Sequence, residues 1–269
     1  MKTKHVIPAL LLAVVLAGKT QAQTDNKQQM TVPLSEPGKP CKLKVEVLNG
    51  SIKVVGYEGK EVLIEVEAEK KAESVSSGGM RRIGGGGAEV TAQEDNNTVT
   101  INTGVSHITS VSVKVPANAA EVRASTVNDG NIVVENVGGQ IEVNNVNGWI
   151  HCENVSGSVV ANTVNGDVTV GFKSVNPQSA MAFSTLNGKV DVTFPADLKA
   201  KVKLKAERGD VFSDFDVAVD KGQASAEKPR EDHMYKITIN DWVYGTINGG
   251  GPEVMMKTTN GDVYVRKAK

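Results

Sequence analysis

Few side chains in this chain could do chemistry, and spacing tests each of them. Of four histidines, His5 lies in an apolar leader, while His107, His151 and His233 have no partner at metal-ligand spacing and no Ser-based nucleophile motif around them. Glu135 and Glu153 share the fifth position of a repeat, two blocks apart, and would stack if one coil held eighteen residues. Like charges that close repel, so they are expected to diverge into solvent and not to form the poised carboxylate pair of a glycosidase. Asp210, Asp214 and Asp216 could offer one acidic loop, but they read as solvated turn acids and not as a cation cage.

Two glycine signals fail for lack of context. Gly18-Lys19-Thr20 looks like the end of a phosphate loop, yet Ala13 stands where its first glycine belongs. Arg81 and Arg82 precede Gly84 to Gly87, but no helix pattern follows, which leaves a flexible loop over Ser74 to Gly87. No catalytic residue, no metal and no cofactor is therefore expected.

One binding feature stands out. Trp149 occupies the first position of a block, where its equivalents are Asn131, Gln140, Ser158 and Asp167, and His151 two residues on faces the same side. A large ring at a polar position is a candidate anchor for a protein or a glycan, set against the plainer alternative that a loop folds over it. Trp242, Tyr244, Tyr235 and Tyr264 form a second aromatic concentration, expected to cap the last coils.

These residues sit on a repeat. From residue 131 the blocks read NIVVENVGG, QIEVNNVNG, WIHCENVSG and SVVANTVNG, closing at Gly139, Gly148, Gly157 and Gly166, and Val127-Asn128-Asp129-Gly130 ends an earlier block with one extra turn residue. Each block has apolar residues at positions two and four, Val at position seven and a closing Gly, which specifies a short strand and a turn. A β-sandwich needs no such constant phase, whereas a β-solenoid (parallel β-helix) does, so the latter is the expected fold, with handedness open. Val at position seven is expected to form an inner ladder, and Asn136, Asn145 and Asn154 at position six a side-chain ladder.

Looser coils flank the regular blocks at 121–170, at Leu48-Asn49-Gly50 on one side and at Leu186-Asn187-Gly188, Arg208-Gly209 and Thr259-Asn260-Gly261 on the other. The solenoid is expected over 41–269, preceded by a polar tether at 23–40. Residues 1–22 read as a signal peptide: Lys2 and Lys4, an apolar run from Val6 to Ala17, and Thr20-Gln21-Ala22 before cleavage. Lys19 stands where a lipoprotein cysteine would be, and no later segment approaches the roughly 20 apolar residues of a transmembrane helix. Cys41 and Cys152 both fall at inward positions, expected as buried thiols before a bridge.

The run Val111-Ser112-Val113-Lys114-Val115-Pro116 through Ser125-Thr126-Val127-Asn128, with its repeated Val-Asn-Gly turns, resembles the bacterial putative-adhesin family of exported envelope domains over residues 45 to 269. The resemblance implies a β-helical fold and an exported location, and supplies no catalytic residue. A net charge of −1 gives no basic excess for nucleic acid. The expectation is a non-enzymatic periplasmic or cell-surface module, with no transmembrane anchor, whose partner is an envelope protein, a surface polysaccharide or a second copy. The alternative is a glycan-active enzyme on a parallel β-helix.

Overall fold

The computed structural model describes residues 27–68, 90–104, 109–220 and 242–269, and these residues are all strand, turn and connection, without a helix. The expected signal peptide, the 74–87 loop, His5, His107, His233 and Tyr235 lie outside them. The first strands are β1 (Lys27–Pro33), β2 (Lys42–Asn49), β3 (Ile52–Tyr57), β4 (Glu61–Ala68), β5 (Val90–Asp95), β6 (Thr98–Thr103) and β7 (Thr109–Pro116). The centre holds β8 (Glu121–Asn128), β9 (Ile132–Glu135), β10 (Gly138–Asn145), β11 (Ile150–Asn162), β12 (Val168–Val175), β13 (Met181–Asn187) and β14 (Val190–Phe194). The last are β15 (Ala200–Ala206), β16 (Val211–Ser213), β17 (Ala218–Val219), β18 (Val243–Ile247), β19 (Glu253–Asn260) and β20 (Val263–Lys267).

Each coil contributes one strand to each of two ladders. In ladder one the parallel neighbours run β6, β2, β8, β10, the second half of β11, β13, β19 and β15. In ladder two they run β7, β3, β9, the first half of β11, β12, β14, β20 and β16. Gln140 pairs with Ser158 and Ile132 with Ile150, so two nine-residue blocks complete a coil of eighteen residues. Inward residues such as Ile141, Val143, Ile150, Cys152, Val159, Ala161, Val168 and Val170 form one continuous core. Toward the C-terminal coils it widens to hold Phe172, Phe183 and Phe194, with ring centroids 5.3–6.3 Å apart.

The coils are not stacked in chain order. The coil of β2 and β3 lies between that of β6 and β7 and that of β8 and β9. At the other end, the coil of β19 and β20 lies between that of β13 and β14 and that of β15 and β16. Antiparallel strands extend the ladder ends: β5 on β6, β4 and then β1 on β7, and β18 and then β17 on β15. Residues 27–33, expected within a tether, are therefore strand β1. The segment escapes a hydrophobicity reading because an added edge strand is held by its backbone and buries one face only. Val32 and the following Leu34 are buried, and Lys27 and Gln29 bind Glu65 at 3.0 and 2.9 Å.

The two corners of the coil differ, which corrects both expected ladders. At one corner the strand alternation runs on unbroken, so position six turns inward and position seven outward. Thr126, Thr163, Thr185 and Thr258 bond the carbonyls of Gly50, Gly148, Gly166 and Gly188 at 2.7–2.9 Å, and Asn145 does the same to Gly130. At the other corner Asn136 and Asn154 take left-handed φ values of 57° and 54°. The ladder slips there between Cys152 and Val155, as in a β-bulge, which turns Val137 and Val155 into the core. Asn136 and Asn154 bond each other, but Asn145 is not part of their ladder. The long asparagine ladder uses position eight instead: Asn128 to Asn49, then Asn165 to Asn147, Asn187 to Asn165 and Asn260 to Asn187, at 2.6–3.1 Å.

The closing glycines of the first corner stack on one another. A Cβ at Gly148 would lie 2.0 Å from the Gly130 oxygen, and one at Gly188 would lie 2.2 Å from that of Gly166. Close backbone approach therefore demands glycine here as strongly as the positive φ does.

Candidate functional site

Position one, just past the glycine corner, carries a column of side-chain caps. The Ser51 hydroxyl accepts from the Asn131 amide at 3.1 Å, Asn131 Oδ1 from the Trp149 amide at 3.0 Å, and Asp167 Oδ1 from the Lys189 amide at 2.9 Å. Asp262 Oδ1 accepts from the Asp210 amide at 3.0 Å. The indole of Trp149 and the ammonium of Lys189 have no acceptor to offer, so each interrupts this column.

Both interruptions border one shallow depression on the outer face of ladder two, lined by Trp149, His151, Gly166, Asp167, Thr169 and Lys189. Trp149 is 42% exposed and meets His151 edge to face, with centroids 6.3 Å apart and an interplanar angle of 84°. His151 Nε2 lies 3.3 Å from Glu153 Oε2. The side expected for Trp149 and His151 is thus the side they take, and no described residue covers the indole. The arrangement offers a ring face and edge, an imidazole, a carboxylate, an ammonium and a hydroxyl, a set that can hold a polar ligand against the indole.

Among the groups weighed for catalysis, Glu135, Glu153 and Asp214 are engaged in ordinary contacts. Glu135 and Glu153 are register partners, as an eighteen-residue coil requires, but Glu135 pairs with Lys53 at 3.0 Å while Glu153 faces His151. They share the rim of a second open depression with Asn136, Asn154, Phe172 and Lys173. Asp214 accepts the Lys267 amide at 3.3 Å, and no set of three potential ligands that could hold a metal occurs among the described residues. Both cysteines are buried and unbridged. Burial pushes the Cys41 thiol up and that of Cys152 to about 12, which disfavours the thiolate a nucleophile needs.

The second aromatic concentration divides between the ladders. Trp242 and Tyr244 stand beside the lysines of β15, whereas Tyr264 stacks on Phe212 at 5.1 Å in ladder two. Arg266 lies 4.9 Å over the Tyr264 ring and holds Asp191 with two hydrogen bonds of 2.6 and 3.1 Å. The Asp191–Arg266 pair and the interruption at Lys189 were not singled out from sequence. Lys189 follows Leu186-Asn187-Gly188, so aligning that looser coil to position one is the signal that would have found it.

No described helix is long and apolar enough to cross a membrane. A family model described as Toastrack DUF4097 matches residues 15–266. The crystal structure of a "putative cell adhesion protein" from Clostridium sporogenes covers 90% of this chain and 100% of its own at 10% identity, with a TM-score of 0.49. No curated protein matches the sequence.

Proposed function

Because the chain belongs to the Toastrack DUF4097 family, we propose that it is an exported, non-enzymatic envelope module, a parallel β-helix that binds a surface polymer or another envelope protein through its outer faces. The observation that carries this reading is the Trp149 depression. A solvent-exposed indole costs free energy, and here it also replaces a backbone cap that neighbouring coils keep. The sheet beneath is fixed by ladders on both sides, so binding would order little backbone.

Replacing Trp149 and His151 together with Ala is expected to leave the melting temperature nearly unchanged and to weaken partner capture from envelope extracts. Equal capture by variant and wild type would remove this depression from the function. For the non-enzymatic part, incubation with a panel of polysaccharides should leave their chain lengths intact, and reproducible cleavage would overturn it.

A further inference from the structure

Near its C-terminal end, ladder one contains a strand of alternating cations. In β15, Val202 and Leu204 are buried, which sends Lys201, Lys203 and Lys205 outward, and Lys199 continues the alternation just before the strand. Alternate strand residues lie about 7 Å apart, so the four lysines mark a line about 20 Å long. Lys257 of β19 is the register partner of Lys205 and adds a fifth cation at its side. Glu207 is shared between Lys205 at 3.6 Å and Lys257 at 3.4 Å, and Lys201 and Lys203 make no ion pair with a described carboxylate. A chain of net charge −1 thus sets five lysines against Glu207 and Glu253 along β15 and its β19 neighbours, counted among the described residues.

Trp242, just before the neighbouring strand β18, and Tyr244 within it hold two of those cations in place. Lys203 Nζ lies 4.6 Å from the Trp242 ring centre and 5.9 Å from that of Tyr244, and Lys205 Nζ lies 5.8 Å from Trp242. Cation–π contacts restrict the flexible lysine stems and so lower the entropy lost on binding. They also occupy ring faces that a nucleobase would need for stacking.

We propose that this strip binds a linear acidic polysaccharide, whose carboxylate or sulfate groups meet the row Lys199, Lys201, Lys203 and Lys205. Charge complementarity selects an anion, and a row one strand wide fits a linear polymer, whereas an anionic bilayer presents a plane. The strip is on the other ladder from the Trp149 depression, so its test stands apart from that reading.

Fluorescent polygalacturonate and dextran sulfate, with neutral dextran as the control, should decide it. The wild-type chain is expected to bind both acidic polymers at low salt, to lose them as salt rises, and to ignore dextran. K201Q/K203Q/K205Q should lower affinity by about tenfold or more. The corresponding Arg triple should retain binding, and K42Q/K44Q/K53Q, at the far end of the molecule, should leave it unchanged. The Arg triple keeps the proposal testable if the Gln triple melts early. Absence of binding at low salt, failure of the Arg triple to bind, or an equal loss in the distant triple would overturn the site. Tighter binding to phosphatidylglycerol vesicles or to oligothymidylate would overturn its assignment to a polysaccharide.

Discussion

At the corner that follows ladder two, Val137 and Val155 are at most 1% exposed. At the corner that follows ladder one, Leu48, Val127, Val146, Val164 and Leu186 are 36–45% exposed. The regular blocks put the same residue type at the same position seven, and the corners put it on opposite sides of the wall. What separates them is the residue before. Asn136 and Asn154 enter the left-handed region and break the alternation, while Asn145 and the threonines keep it and spend their polar groups on a glycine carbonyl inside. A nine-residue period in sequence is thus an eighteen-residue period in space. It leaves one corner smooth and polar inside, and the other bulged and apolar inside.

This contrast can be broken at two levels. The largest single-residue effect is expected at the glycine stack: in G166A the added Cβ meets the Gly148 oxygen at 2.4 Å at a φ of 145°. Both the backbone strain and the displaced neighbour count against the fold, so the loss should exceed about 3 kcal/mol in a denaturant titration. Next comes a matched pair at position seven. Val155→Ala removes buried methyl groups and should cost about 2 kcal/mol, whereas Val164→Ala should stay within about 0.5 kcal/mol. Similar costs for the two would mean that the corners are equivalent.

How much of this was legible depended on whether a residue's neighbours lie in its own block. The strand positions, the glycine corners and the outward pair of Trp149 and His151 follow from alternation within nine residues. Position seven did not, because Asn145 and Asn154 are the same residue type in different backbone regions, and only the coil beneath selects between them. The interleaved ends were hidden for a related reason. The β2–β3 and β19–β20 coils obey the same Asn-Gly grammar as the rest, so nothing local says which coil each lies against. β1 and the lysine row of β15 escaped a search keyed to repeat phase, the first because it joins by antiparallel pairing and the second because its alternation is of charge.

The most direct test of the two-block coil is a pair of internal deletions compared by cooperative unfolding. Removing residues 140–157 takes out one whole coil and joins Gly139 to Ser158, which keeps each corner type in its column. Removing residues 149–157 takes out a single block and joins Gly148 to Ser158, which sets two unbulged corners in succession. The eighteen-residue deletion is expected to unfold cooperatively at a reduced temperature, and the nine-residue deletion to lose cooperative folding. A nine-residue deletion that folds as well as the eighteen-residue one would contradict the account.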